Sequence, residues 1–189
     1  MRGKRFWQTI RLCFILSSAK RTEYLRKKGI FAQIGDNCSI MSRTVPLYAK
    51  LIKLGNNVRL ASNVSFITHD VSHVMINAKP EYREKMFQER IGCIEIQDNV
   101  FVGAGSTILY DVRIGSNVII GAGSLVNKDV PSNSVVAGIP ARFIESFDQF
   151  IDKRKKEQLY PPEMEPRNEM ISDEAVVWCW KNFEQKHQA

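Results

Sequence analysis

The sequence has few of the residues on which several classes of protein depend. It contains only three histidines, and its four cysteines are scattered without a CxxC spacing: Cys13, Cys38, Cys93 and Cys179. Such cysteines indicate buried thiols in a reducing compartment, not a disulfide framework or a zinc site. The apolar run CFIL near the N-terminus is too short for a secretory core or a membrane span. We therefore expect a cytoplasmic protein.

Acidic side chains are nearly absent from the first 30 residues. This segment contains nine Lys or Arg and one Glu, whereas the other 159 residues carry 18 basic and 19 acidic side chains. A broad basic face for nucleic acid is therefore not expected. The pattern predicts a basic amphipathic helical arm over residues 1–29 that ends at Gly29. The arm suits a solvated helix, or weak contact with an acidic membrane surface, a polyanion or a neighbouring subunit.

The chain does have an internal repeat of six residues. From Ile96 it divides into IQDNVF, VGAGST, ILYDVR, IGSNVI, IGAGSL and VNKDVP, each opened by an aliphatic residue. The same pattern recurs upstream, in register at Leu54, Leu60 and Phe66 and out of register at Ile34 and Ile40. A period of six indicates a parallel β-helix in which three short strands and three bends form a coil of about 18 residues. Gly and Asn are expected at the bends, where positive φ is tolerated.

The repeat occurs together with two further motifs, THD at residues 68–70 and VPSNSVVAGIPAR after the last unit. Together they resemble the hexapeptide-repeat acyltransferases, most closely the galactoside, maltose and polysaccharide O-acetyltransferases, over residues 30–145. The resemblance implies an all-β solenoid, a left-handed parallel β-helix over residues 30–142, with N-terminal and C-terminal helices. It also implies an acetyl-CoA-dependent O-acetyltransferase for a sugar hydroxyl, working in surface-polysaccharide biosynthesis. A homotrimer with sites between subunits and no metal cofactor is part of that expectation.

The repeat is interrupted by a long polar segment, which we interpret as a loop excursion over residues 69–93. The loop begins at His69, onto which the resemblance maps the catalytic histidine. An imidazole with a pKa near 6.5 suits a general base that removes the proton of an acceptor hydroxyl. Asp70 would orient the imidazole, bind acceptor hydroxyls or terminate the strand. His73 would contact the acceptor or stabilise the loop.

The resemblance also implies a second half of the site. A backbone N–H in the bend VGAGS would stabilise the negative charge on the thioester oxygen, and the implied donor is Ala104, with Gly103 permitting close approach. Coenzyme A would lie in a groove between subunits. Its pantetheine arm is expected beside Gly121 and Ala122, its phosphates at Lys128 and Arg142, and its adenine at Ile139 and Pro140.

The candidates for the acceptor pocket come from an irregular part of the chain. The coil before the histidine reads MSRTVPLYAKLIK, and Ser42, Arg43 and Tyr48 are the candidates for lining the acceptor pocket. An amino sugar, an antibiotic or serine is the alternative acceptor. A non-catalytic trimeric scaffold would have no reason to retain THD, AGIPAR and a groove of small residues together. A zinc hydratase would need three histidines at a subunit boundary, and only His69 and His73 are close.

The chain after residue 142 is predicted as a C-terminal helical extension over residues 143–189. The spacing of Phe143, Phe147 and Phe150 predicts an amphipathic helix that would cap the last coil. PPEMEP reads as a linker, and SDEAVVWCWKNFEQKHQ as a last helix with good N-capping residues. The predicted apolar stripe of this last helix consists of Val176, Val177, Trp180 and Phe183, and Trp178 and Trp180 are expected to act as packing anchors.

Overall fold

The fold is described from a computed structural model, which describes residues 3–82, 86–157, 159–166 and 170–187. The other residues of the predicted arm, loop and C-terminal extension lie outside the described part of the chain. The chain divides into two compact units, Met1–Phe150 and Ile151–Ala189. No described helix is long and apolar enough to cross a membrane.

The first unit consists mainly of short strands. In chain order they are β1 (Gln33–Ile34), β2 (Ser39–Ile40), β3 (Ile52–Leu54), β4 (Val58–Leu60), β5 (Ser65–Ile67), β6 (His69–Asp70), β7 (Arg90–Ile91), β8 (Ile94–Ile96), β9 (Val100–Val102), β10 (Thr107–Leu109), β11 (Val112–Ile114), β12 (Val118–Ile120), β13 (Leu125–Val126), β14 (Ser134–Ala137) and β15 (Arg142–Ser146). The α-helices are α1 (Lys4–Phe14), α2 (Ser18–Lys27), α3 (Ser72–Asn77), α4 (Phe147–Lys155) and α5 (Asp173–His187). Short 3₁₀ turns occur at Ala49–Leu51, Pro80–Tyr82 and Pro162–Met164.

The repeat strands form three parallel sheets, which we call faces. Face 1 contains β1, β3, β8 and β11, face 2 contains β2, β4, β9, β12 and β14, and face 3 contains β5, β10 and β13. Successive repeat strands lie on successive faces, and strands paired within a face are one coil apart, as Val100 is opposite Val118. The chain therefore winds through three parallel sheets, as the period of six predicts.

The aliphatic residues that open the units stack inside the coil. Leu54, Ile96 and Ile114 are paired across face 1, and all three are fully buried. Burial of one such side chain contributes about 1.5–3 kcal/mol, so the stacked column is the main source of stability for the coil. On faces 1 and 2 the outer residues of a three-residue strand point inward, and on face 3 the middle residue does.

The bends between faces form three corners with different compositions. The asparagine corner, between faces 1 and 2, carries a ladder in which each side-chain amide donates to the next residue of the ladder: Asn37, Asn57, Asn99, Asn117 and Asn133, with N···O distances of 3.0, 3.0, 3.1 and 2.9 Å. All five have a φ between 53° and 59°, which confirms the expected positive φ at these bends. The glycine–alanine corner, between faces 2 and 3, includes residues 103–106 and 121–124. The histidine corner, between faces 3 and 1, includes the loop that starts at His69.

Several sequence expectations are wrong in detail. The arm is two helices, because Ile15 is extended and Ser17 caps α2 by accepting a hydrogen bond from the Lys20 N–H. The predicted helix from Phe143 begins only at α4, since the preceding five residues form β15, which pairs antiparallel with β14 and covers the edge of face 2. Of the four cysteines, only Cys38 is buried, so the expectation of buried thiols fails for the other three.

In the second unit, the expected last helix is present as α5. Trp178 packs edge-on against Tyr160, with 6.2 Å between ring centroids. The predicted apolar stripe is largely exposed in the chain, including Val177, Trp180 and Phe183.

Candidate active site

His69 lies where the loop leaves face 3. It belongs to β6, which pairs antiparallel with β7 so that His69 is opposite Ile91. The Gly92 N–H donates to the Thr68 carbonyl at 3.0 Å. The loop therefore leaves and re-enters the coil at one point, and this closure holds His69 against a rigid edge.

The imidazole of His69 has one close aromatic neighbour. The Tyr48 ring meets it edge-on, with 5.4 Å between centroids, and the Tyr48 hydroxyl donates to Glu89 Oε2 at 3.1 Å. That hydrogen bond, together with desolvation and the charge of Glu89, raises the pKa of Tyr48. His69 Nδ1 is buried and has no hydrogen-bond partner among the described residues. No described residue therefore uses this ring nitrogen in a hydrogen bond.

Asp70 does not orient the imidazole through this nitrogen. Its Oδ1 accepts a hydrogen bond from the Ser72 N–H at 2.7 Å, at the start of α3. Hydrogen bonding to Ser72 lowers the pKa of Asp70, and the charges of Arg90 and His73 lower it further. Of the three roles open to Asp70, this geometry favours terminating the strand and starting the helix. His73 lies in α3, and its Nδ1 is likewise buried without a partner in the described part of the chain.

The three residues expected to line the acceptor pocket do not lie together. Tyr48 touches His69, as described above. The Ser42 hydroxyl instead donates to the Val64 carbonyl at 3.0 Å, towards the glycine–alanine corner. Arg43 Nη1 donates to the Cys13 carbonyl at 2.7 Å and so holds the arm. Only Tyr48 is therefore brought to His69 within one chain.

The glycine–alanine corner presents a backbone donor. The N–H groups of Gly103 and Gly105 donate to the carbonyls of Ile120 and Ser62. The N–H of the exposed Ala104 donates to no backbone carbonyl within the described residues, although the Ala104 carbonyl accepts from the Gly123 N–H. A Cβ on Gly103 would lie 2.4 Å from the Ala122 nitrogen. Gly103 is therefore required for coil stacking, a different reason from the ligand approach expected from the sequence.

The remaining expected contacts of coenzyme A lie near the end of the repeat. Gly121 lies at the corner with its neighbour Ala122 exposed. Lys128 and Arg142 are exposed and line one cavity of about 170 Å³, and neither forms an ion pair with a described residue. Ile139 has 75% of its surface exposed, and Pro140 next to it is partly exposed. The structure thus brings the two cations together and leaves an apolar surface nearby.

The two halves of the expected site lie on different corners. The Gly105 N–H bonds to the Ser62 carbonyl, so Ala104 is level with the start of the face 3 segment that ends at His69. Five residues, 64–68, separate the corners, which corresponds to about 17 Å at 3.3 Å per residue. A general base and an oxyanion donor must both reach one acetyl group. The expected base and the expected oxyanion donor therefore lie at different corners of one chain.

Within the described residues there is no cluster of three His, Cys, Asp or Glu side chains that could hold a metal ion. Sequence reasoning also missed Glu89, the partner of Tyr48. Glu89 belongs to the irregular loop, where no periodicity indicates which side chains return to the coil.

Comparison with known proteins agrees with this architecture. Residues 94–128 match the family model of the bacterial transferase hexapeptide (six repeats). Protein CapG of Staphylococcus aureus is 38% identical over 133 residues, which cover 68% of this chain and 73% of the relative. The galactoside O-acetyltransferase of Lactococcus lactis is 34% identical over a region that covers 64% of this chain and 65% of the relative. The chain belongs to the hexapeptide-repeat transferase family, and the predicted acetyltransferase class is confirmed.

Solved structures share the fold. A maltose O-acetyltransferase from Clostridium difficile 630 is 29% identical with a TM-score of 0.52, over 76% of this chain and 86% of the other. A hexapeptide-repeat acetyltransferase from Vibrio cholerae has a TM-score of 0.55 at 23% identity, over 77% and 90% of the two chains.

Proposed function

We propose that the protein is an acetyl-CoA-dependent O-acetyltransferase that acts on a sugar hydroxyl in surface-polysaccharide biosynthesis. The observation that carries the proposal is the position of His69, at the opening of a loop on a hexapeptide coil and against the ring of Tyr48. The names of the relatives, galactoside and maltose O-acetyltransferase, support a sugar as the acceptor. Because acetyl-CoA is a cytoplasmic metabolite, we propose that the reaction takes place there.

The proposed reaction is a direct transfer. His69 takes the proton of the acceptor hydroxyl while its oxygen attacks the thioester carbon. The Ala104 N–H donates to the carbonyl oxygen as negative charge develops on it. The tetrahedral intermediate collapses to the acetyl ester and the thiolate of coenzyme A, which takes the proton from the imidazolium. Each proton and electron pair is thus accounted for without an acetylated enzyme.

The separation of the two corners supports a shared site. In a left-handed coil assembled as a homotrimer, the histidine corner of one copy would face the glycine–alanine corner of the next copy. Three identical contacts close such a ring and form three sites. Coenzyme A would run along the groove beside Ala122, with its phosphates at Lys128 and Arg142 and its adenine on Ile139 and Pro140.

The test is thiol release from acetyl-CoA with a panel of sugars, amino sugars and serine. We expect His69→Ala to lower kcat by about 10²–10⁴-fold, the usual contribution of a general base, with unchanged binding of coenzyme A. His73→Ala is the comparison variant, because this imidazole of the same loop takes no proton in the proposed mechanism, so loss of an acceptor contact there would raise KM and leave kcat unchanged. Acceptor-dependent release that survives in His69→Ala would overturn the assignment of the base, and release only with amines would overturn the assignment to hydroxyls.

A further inference from the structure

A large groove lies beside His69, between the arm and the loop. Its volume is about 780 Å³, within the range of about 300–1,000 Å³ of small-ligand sites. Three segments line it: the arm at residues 4, 5, 8 and 28–30, the irregular coil at residues 45, 46 and 48–51, and the end of the loop at residues 88, 89 and 91. We call it the arm groove.

The arm groove is continuous with the surroundings of the proposed base. Tyr48 and Ile91 form part of its wall. The Tyr48 ring touches His69, and Ile91 is the strand partner of His69. Two residues of the groove wall are therefore direct neighbours of His69.

The charge of the groove is of one sign. Four cationic side chains line it, Lys4, Arg5, Lys28 and Lys50, against one carboxylate, Glu89. The three lysines form no ion pair with any residue in the described ranges. A cleft lined by charges of one sign concentrates the potential and attracts counter-ions.

One of these cations is held by a hydrogen bond, and another lies close to the arm. Arg5 Nε donates to the Val45 carbonyl at 2.9 Å. Lys50 Nζ lies near Gly29, where a Cβ built on the glycine would be 3.6 Å from it. Cations of the arm and of the coil therefore line the same space.

The arm that carries these cations is fixed to the coil. Arg21 is buried, and its Nη1 donates to the carbonyls of Ile15 and Leu16 at 2.6 and 2.7 Å, where α1 meets α2. The Thr22 hydroxyl accepts the Ile40 N–H at 2.9 Å on the first coil. The basic residues of the groove therefore belong to a docked element and not to a free solvated helix.

We propose that the arm groove binds a phosphate or diphosphate ester of the acceptor, so that the enzyme acetylates an anionic, activated glycan and not a free neutral sugar. This inference rests on the proposed function, because it takes His69 as the base that receives the acceptor. Lysine ammonium groups bind phosphate as point charges, and Arg5 adds planar donors. The apolar floor, formed by side chains such as Ile30 and Val45, packs against the uncharged part of the ligand. The same chemistry fits a nucleotide-linked sugar and a lipid-diphosphate-linked sugar.

The test compares acceptors that carry the same sugar with and without a phosphate group. Glucose, galactose and N-acetylglucosamine are each assayed as free sugar, 1-phosphate, uridine-diphosphate ester and short-chain polyprenyl-diphosphate ester, at low and high salt. We expect the phosphorylated forms to have the lower KM, with an advantage that shrinks in high salt. A preference for the uridine or the polyprenyl ester identifies the source of the phosphate.

Variants show whether the groove is responsible. Lys50→Gln and Lys28→Gln should each raise the KM for the phosphorylated acceptor by roughly tenfold, the loss expected for one charged hydrogen bond. The KM for free sugar and for acetyl-CoA, and kcat, should not change. Lys53→Gln is the matched control, because this exposed lysine lies on face 1 outside the groove.

The outcomes separate the two proposals. Free sugars acetylated as well as their phosphates, or variants that change both KM values equally, would overturn the anionic acceptor and leave the acetyltransferase intact. If no acceptor is acetylated, calorimetry with the 1-phosphates decides. Binding that weakens in Lys50→Gln supports the groove, and no binding overturns it, including the case in which a neighbouring subunit fills the groove. Absence of acetyl-CoA binding would instead count against the proposed function.

Discussion

Activity should be restored when two inactive variants share one assembly. His69→Ala removes the base at the histidine corner. Ala122→Phe fills the groove at the glycine–alanine corner, where the alanine side chain is exposed and the coil can accept a larger residue. Each variant alone should form trimers with near-zero turnover, because every site contains the same damaged half.

The recovery follows from the separation of the corners. A site is intact only where a copy with His69 faces a copy with Ala122. In a closed ring of three copies that contains both variants, whether two to one or one to two, one contact of the three joins the intact halves. Mixed trimers should therefore reach roughly one third of the wild-type kcat per trimer at unchanged KM. If both halves came from one chain, the mixture would remain inactive.

The assay needs trimers known to be mixed. The two variants are co-expressed with different affinity tags, purified on both tags in sequence, and their composition is checked by native mass spectrometry. Turnover is then measured by thiol release with the best acceptor. Verified mixed trimers that are no more active than the single-variant trimers would refute the shared site. The same result would mean that the face 3 separation of about 17 Å is bridged within one chain.

Three further predictions concern the coil and the loop. In urea unfolding, Gly103→Ala should lower the free energy of unfolding by about 3 kcal/mol, because its Cβ would meet backbone at 2.4 Å. Gly105→Ala should lower it by only about 1 kcal/mol, because φ is +71° there but nothing lies within 4 Å of the added Cβ. Asn99→Gly should cost about 1–2 kcal/mol for two ladder bonds, and Asn99→Ala about 1 kcal/mol more at φ 59°. No loss in Asn99→Gly would contradict the ladder account, and equal loss in both variants would contradict the account of the positive φ. Because hydrogen bonding to Ser72 lowers the pKa of Asp70 from its ordinary value of 3.8, the bond should still be present at pH 3.8 and be lost only at a lower pH, as followed by the Ser72 amide shift in NMR.

The coil could be predicted because its information is local and repeated. Every six residues the same chemistry returns, and stacking one coil on the next places like on like, as with Asn99 above Asn57. The position of His69 was accessible for the same reason, since a residue that breaks a strict period is conspicuous. The resemblance then supplied a role for it.

The rest of the site depends on contacts that no period encodes. Ser42 and Arg43 look like pocket residues in the sequence, but their partners lie 22 and 30 positions away and commit them to the backbone. Residues 142–146 have an apolar spacing that also suits a helix. They form a strand because they pair with the otherwise free edge of face 2. The sequence pattern of the basic arm suits a solvated surface and does not reveal its docking. Docking depends on the buried Arg21, whose carbonyl partners include the distant Ile40 and Met41.

The bond between Gly92 and Thr68 has a consequence for how this chain can diverge. The loop leaves and re-enters the coil at one point. Lengthening a loop whose ends are held together adds an entropic cost that grows only slowly with the number of residues. Insertions or deletions inside it leave the register of every later coil unchanged, whereas one residue added at the asparagine corner would shift the whole downstream stack. New acceptor preferences can therefore arise at the loop while the donor side of the molecule is inherited intact.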